Sequence, residues 1–211
     1  MPFNVSTFSS QGLQYGGARA SLFQVEVSLP SEVNGAGAED QIRFLCKAAS
    51  LPSSVIGQVE VPYFGRKIKM AGNRTFENWT ITIMNDEDFA IRQAFERWSS
   101  LINSHENNLR SGGIGFESGG APSSYRTEAR VKHFSKSSSF AGGPVGDPAA
   151  NGETAVSTLE YKFVNIFPVN ISSIDLNWET TDAIEEFTVE FAYDFWHITD
   201  GTVVTDLGNA T

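Results

Sequence analysis

The chain has one cysteine, Cys46, among its 211 residues. That excludes an intrachain disulfide and a cysteine-based zinc cluster, and it suits a reducing compartment, where a lone buried thiol behaves as a small apolar residue. No apolar run is long enough to cross a bilayer, so no membrane anchor is expected. The opening Met1-Pro2-Phe3-Asn4-Val5-Ser6 has no basic residue leading into an apolar stretch, and no secretory leader is expected. Basic charge is scarce: 15 Lys and Arg stand against 25 Asp and Glu, a formal net charge of −10. Such a chain is not built to grip nucleic acid by neutralising phosphates, although it can repel it.

Chemical motifs are missing too. The histidines His105, His133 and His197 sit in different segments without metal-ligand spacing. No GxSxG turn, Walker loop or HExxH helix occurs. Paired carboxylates, Glu185-Glu186 and Asp86-Glu87-Asp88, are what a glycosidase would need. Neighbours on a strand face opposite ways, however, and acids at a helix start suit its dipole, so both groups read as structural. No catalytic, cofactor-binding or metal residue is assigned.

What the sequence does have is alternation. In the run from Phe187 to Phe195 every odd position is large and apolar, while Glu190 and Asp194 fall on the even ones and Glu186 extends their row. A period of two predicts a strand with Phe187, Val189, Phe191, Tyr193 and Phe195 in a core and the carboxylates on the opposite face. Burying each apolar side chain contributes roughly 1.5–3 kcal/mol, an upper estimate. With 16 Phe, 19 Gly and 19% charged residues, the composition is that of a β-rich globular protein.

Other elements follow the same logic. Residues 1–20 read as an N-terminal arm. Phe23, Val25, Val27 and Leu29 predict a half-buried strand ending at Pro30, and residues 41–49 a second, with Ile42, Phe44 and Cys46 on one face. Residues 51–72 read as a long hairpin or projecting loop that concentrates Arg66, Lys67 and Lys69, longer than a simple hairpin with a two-residue tip. Residues 73–85 predict a strand around Trp79, Ile81 and Ile83. The one predicted helix follows, capped by Asn85 or Asp86, with Glu87 and Asp88 at its start and Ile91, Phe95, Trp98 and Ile102 on its apolar stripe. Residues 104–154 form a loop-rich insertion around an extended piece, 125–134, with Ala129 and Val131 on one side. A last β region runs through Leu159, Tyr161 and Phe163 to Trp178. No repeat or boundary divides the chain, so residues 1–211 are expected to form one domain.

Three stretches together resemble the tail tube proteins of contractile-tailed bacteriophages. They are residues 20–27 with 44–52; Arg66-Lys67-Ile68 running through Gly72-Asn73-Arg74-Thr75-Phe76 into the Asn85-Asp86-Glu87 cap; and residues 167–178 with Ile184-Glu185-Glu186-Phe187 and Tyr193-Asp194-Phe195-Trp196. The departure is 104–154, longer than the compact family core. The resemblance implies a mainly β subunit, an antiparallel β-sandwich or barrel with one flanking α-helix. It also implies homohexameric rings stacked into a hollow tube, without catalysis or cofactor. Implied partners are other copies of the chain, the tail sheath, the tape measure protein, the baseplate and the tail terminator. DNA is to pass through the lumen without specific binding, and assembly is to take place in the host bacterial cytoplasm.

Within that frame Glu186, Glu190 and Asp194 are candidates for an acidic lumen wall. Arg66, Lys67 and Lys69 are candidates for ring stacking against an acidic surface of another copy, a head-to-tail contact that closes into a ring or runs on as a filament. One alternative is the inner tube of a contractile injection system carrying protein cargo. Another is a carbohydrate-binding β-sandwich using Trp178 and Trp196 as stacking platforms, disfavoured because both are expected in strands that need core residues.

Overall fold

The computed structural model describes residues 17–33, 37–105, 125–134, 157–179 and 182–199. In chain order these form β1 (Phe23–Val27), α1 (Ala38–Leu45), β2 (Cys46–Ala49), β3 (Val55–Tyr63), β4 (Arg66–Thr75), β5 (Trp79–Met84), α2 (Ala90–Ile102), β6 (Thr127–Phe134), β7 (Ser157–Ile171), β8 (Glu186–Ala192) and β9 (Phe195–Thr199). One seven-stranded sheet has the order β1-β6-β7-β8-β5-β2, with β9 on β7, and β3 and β4 form a separate pair. The fold is mainly β, and the β5–β8, β7–β8, β2–β5 and β3–β4 pairs are antiparallel.

The described residues divide into two compact units, one of residues 25–33, 37–105, 125–130, 162–179 and 182–196 and the other of residues 17–24, 131–134, 157–161 and 197–199. In the smaller unit the Phe134 N–H donates to the Leu22 carbonyl at 2.9 Å, and His133 Nε2 lies 2.9 Å from the Arg19 carbonyl. The larger unit holds an aromatic core built on the β5–β8 register, in which Trp79, Ile81 and Ile83 face Phe191, Val189 and Phe187. All six are buried, so alternation on two neighbouring strands places one continuous apolar layer on one side. Trp79 stacks on Phe163 at 4.4 Å, and Phe95 meets the Phe191 ring edge-on at 5.8 Å. Helix α2 thereby lies on the sheet through Ile91, Ala94, Phe95 and Trp98, and the Arg92 guanidinium sits 5.5 Å from the Phe187 ring centre.

Several local expectations are corrected. The segment 41–49 is not one strand: α1 occupies Ala38–Leu45 and buries Ala38 and Ile42, while Phe44 is 80% exposed. Glu39 and Asp40 in its first turn and Arg43 in its last suit the helix dipole, and α1 packs against α2 and β5. There are thus two described helices rather than one. Asn85 does not cap α2: its backbone N–H and Nδ2 donate to the Glu185 backbone carbonyl and Oε2 at 2.8 and 3.1 Å, prolonging the β5–β8 ladder. The helix begins at Ala90, whose N–H donates to Asp88 Oδ1 at 2.9 Å. The strand read from Phe187 to Phe195 ends at Ala192, and Phe195 starts β9 partly exposed. Trp178 lies in a turn after β7 and is 99% exposed, so it is not a strand residue awaiting burial. Trp196 does lie in a strand, half-buried, with its indole N–H donating to the Ser53 carbonyl at 3.3 Å.

Other expectations hold. Strand β1 buries Val25 and Val27, with Leu29 buried just beyond it, and β6 buries Ala129 and Val131. Most of the arm (1–16) and most of the insertion (106–124 and 135–154) lie outside the described residues.

Two outcomes test this packing. Phe191→Ala should destabilise the protein by about 3–5 kcal/mol in chemical denaturation, because it empties a site between Trp79, Phe95 and Trp98. Burial pushes the Cys46 thiol up to about 12 from 9.0. It should therefore stay unreactive toward a thiolate-specific reagent at pH 8 until the protein unfolds. The unfolded thiol ionises first, so the stability contributed by this group is full below about pH 9 and falls as pH rises toward about 12. A Cys46→Ala control should lack that component of the alkaline decline.

Candidate functional site

Two of the three row carboxylates share one face. In the register Glu190 opposes Thr80 and Glu186 opposes Met84, on the side of the sheet away from the buried Ile81 and Ile83. Asn170 of β7 opposes Glu190 and adds a polar neighbour. Asp194 stands apart, in a bend after β8. Its Oδ2 accepts from Arg126 Nη1 at 3.2 Å and from Asn165 Nδ2 at 2.7 Å.

The other two are also partnered. Lys47 Nζ on β2 lies 2.5 Å from Glu186 Oε1, reaching across β5, and Asn78 Nδ2 donates to Glu190 Oε1 at 2.8 Å. Two of the negative charges thus have a cation beside them, and Glu190 is held by a neutral amide. Exposed pairs of this kind contribute about 0–1 kcal/mol, so their consequence is orientation and local charge rather than stability. Nearby, burial and then the Glu77 carboxylate raise the pKa of Tyr193.

The basic candidates sit on the hairpin, whose shape follows from its turn. Phe64 and Gly65 both have positive φ, 43° and 77°, the primed geometry that suits a two-residue loop between right-twisted strands. The tip is therefore two residues long, and the strands themselves supply the length. Gly57 and Gly72 meet at the bulge near the base, where a Cβ on Gly72 would come within 3.0 Å of the Gly57 carbonyl oxygen.

Between bulge and tip the pairs are Gln58–Ala71, Val59–Met70, Glu60–Lys69, Val61–Ile68, Pro62–Lys67 and Tyr63–Arg66. Alternation gives the hairpin two unlike faces. Val59, Val61, Tyr63, Ile68 and Met70 share one face with Arg66, while Gln58, Glu60, Lys67 and Lys69 occupy the other. The candidate cations are thus split, and Lys67 Nζ lies 2.7 Å from Glu60 Oε2. Every residue of β3 is exposed, and Phe64 at the tip is 91% exposed with Tyr63 against it edge-on at 4.6 Å. Nothing among the described residues covers the apolar face. The positive charge is readable from sequence; the oily face beside it was signalled only by the alternation of Val59, Val61 and Tyr63.

Strands β1 and β2 end the sheet order, and their outer sides bear no further strand among the described residues. Between β7 and β8, Leu176, Trp178 and Ile184 are exposed. His105 Nδ1 lies 3.1 Å from the Ser100 hydroxyl oxygen. Among the described residues no group of three or more His, Cys, Asp or Glu could hold a metal ion, and no helix is long and apolar enough to cross a membrane.

A family model described as phage tail tube protein matches residues 18–199. Tail tube protein gp19 of Enterobacteria phage T4 is 31% identical over 179 residues, 85% of this chain and 90% of that protein. The tail tube protein of Serratia phage KSP90 is 25% identical over 181 residues, 84% of this chain and 86% of that protein. Among solved structures, a chain of the anti-feeding prophage baseplate is similar in fold, with TM-score 0.54 at 9% identity, covering 89% of this chain and 98% of that one. A chain of the same particle's tube-terminating cap gives 0.53 at 15% identity, covering 87% and 91%.

Proposed function

Because the chain belongs to the phage tail tube protein family, we propose that it is the structural subunit of the inner tube of a contractile phage tail, six copies closing into rings that stack into a conduit for DNA. The observation that carries this reading is the amphipathic hairpin, a long two-stranded arm exposed along nearly its whole length, with an apolar face that the described residues leave uncovered. Contiguous exposed apolar surface of this kind marks an interaction site. Free edges at β1 and β2 support the ring: strands of neighbouring copies can pair there, and a closed barrel removes the edge liability.

On this reading Glu186, Glu190 and Asp194 line the bore, and the hairpin with Arg66, Lys67 and Lys69 joins ring to ring. A wall bearing Glu190, which has no cation beside it among the described residues, repels phosphates and lets DNA slide. The tube assembles in the host cytoplasm, around a tape measure protein, within a sheath, between baseplate and terminator. It catalyses no reaction and takes no cofactor. Family membership and the 31% identity to a phage tube protein favour DNA over protein cargo, since the solved anti-feeding prophage chains share the fold alone. The exposure of Trp178 removes burial as the argument against sugar stacking; family membership stands in its place.

Electron microscopy of the purified protein should show rings or hollow rods. Arg66→Ala/Lys67→Ala/Lys69→Ala should leave rings but lose long tubes at moderate ionic strength, where screening acts beyond about 8–10 Å. Tubes of normal length from that variant would remove the hairpin's cations from stacking. For the bore, assembled Glu186→Lys/Glu190→Lys tubes should retain linear duplex DNA at low salt while the parent tubes release it. Equal release would place this face elsewhere.

A further inference from the structure

Among the described residues, a surface with properties opposite to the hairpin's lies between β7 and β8. Residues 172–186 between β7 and the start of β8 contain Asp175, Glu179, Asp182, Glu185 and Glu186 and no Lys or Arg. Within that acidic setting Leu176, Trp178 and Ile184 are exposed. The Glu179 N–H donates to Asn177 Oδ1 at 3.0 Å, a local turn beside Trp178. The hairpin is the complement: an apolar face with Arg66 at its end, flanked by Lys67, Lys69 and Arg74 against the single acid Glu60. Nine residues of β3 at about 3.4 Å each give the arm a reach of about 30 Å, enough to cross onto another molecule.

We propose that the loop around Trp178 is the seat of the hairpin from a copy in the adjoining ring, with Leu176, Trp178 and Ile184 against Val61, Tyr63 and Ile68, with Asp175, Glu179 and Asp182 facing Arg66 on that same face, and with Lys67 and Lys69 on the outer face adding to the positive potential that draws the acidic loop. This rests on the ring-stacking reading of the hairpin and names the surface it stacks on. Charge complementarity selects a second copy as the occupant: the two patches are opposite in sign and alike in apolar content on one chain, which is the requirement of a head-to-tail contact that repeats without limit. Tyr63, Arg66 and Trp178 are the residue types that dominate binding energy at interfaces. The edge-on contact of Tyr63 with Phe64 fixes the tip before docking, which lowers the ordering cost.

The test uses the full chain and electron microscopy of its polymers. Arg66→Glu/Lys67→Glu/Lys69→Glu alone and Asp175→Lys/Glu179→Lys/Asp182→Lys alone should each lose tubes, and the two sets combined in one chain should regain them. Tryptophan emission should shift to the blue on assembly, and Trp178→Phe should remove most of that shift. Should the hairpin reversal block assembly while the loop reversal does not, the hairpin stacks on another surface and this proposal falls while the stacking reading stands. Should both single reversals assemble normally, both fall. Loop-reversed tubes of normal length that no longer take up sheath would assign the patch to a sheath subunit and overturn the proposal. If the loop reversal fails to fold, an Ile68→Cys/Leu176→Cys pair in a Cys46→Ser background decides: oxidation should link copies into a ladder, and its absence under conditions that form tubes overturns the contact.

Discussion

The register between β5 and β8 is the constraint on which the rest depends. Trp79, Ile81 and Ile83 meet Phe191, Val189 and Phe187 pair by pair, and each residue is buried. A slip of β8 by one residue would turn Phe187, Val189 and Phe191 to the polar side and bring Glu186, Thr188 and Glu190 into the core opposite Trp79, Ile81 and Ile83. Helix α2 reinforces the same choice, since Phe95 and Trp98 contact Phe191 and Arg92 covers Phe187. With the core row settled, the opposite face has no freedom: Glu186 and Glu190 must share it, and Lys47 meets Glu186 across β5.

That fixed sheet contrasts with the arm joined to it. The β3–β4 hairpin is held by its own ladder, by a Phe64-Gly65 turn of positive φ and by a glycine pair at its base, none of which draws on the aromatic core. Its side chains gain nothing by burial within the described residues, yet five of the six on one face are apolar. An isolated two-stranded hairpin is marginal in water, so an arm of this kind is fully stabilised only when another surface covers it. The two parts therefore differ in what holds them: the sheet has its aromatic core within the chain, and the hairpin has only its own ladder among the described residues.

The parts legible in sequence are those where one periodicity dominates. The odd residues of β8, the Trp79–Ile83 row and the Ile91–Phe95–Trp98 stripe each state their face without help from the rest of the fold. Misreadings cluster where two periods compete or where a strand stops for a tertiary reason. In α1, Ile42, Phe44 and Cys46 alternate like a strand, but Ala38 and Ile42 also stand four apart; packing on α2 and β5 selects the helix and leaves Phe44 outside. At the end of β8 the alternation continues through Tyr193 and Phe195. Asp194 nevertheless leaves the strand, held by Arg126 and Asn165, partners remote in sequence. Trp178 looked like core because large aromatics usually are, and no local pattern reveals that a tryptophan is left in water. Of the site residues, the cluster Arg66, Lys67 and Lys69 was visible as charge, but its division between two faces required the register.

Charge distribution then explains how so acidic a chain can polymerise. At −10 per subunit, like charges on neighbouring copies oppose association, and that opposition grows as copies accumulate. Attraction must therefore be concentrated where surfaces meet, with excess negative charge placed where surfaces do not. The hairpin gathers four cations, Arg66, Lys67, Lys69 and Arg74, from a total of 15 in the chain. Internal pairing follows the same economy: Lys47 sits on Glu186, so the sheet face away from the core carries less net charge than its sequence suggests, Glu190 has no cation beside it among the described residues, and Arg126 offsets Asp194 in the bend beyond the strand. In the tube proposed above, a bore would need only enough negative charge to keep DNA from adhering, and more would drive the copies of a ring apart. Partial neutralisation of the row by cations from β2 and from the residue before β6 meets both requirements at once.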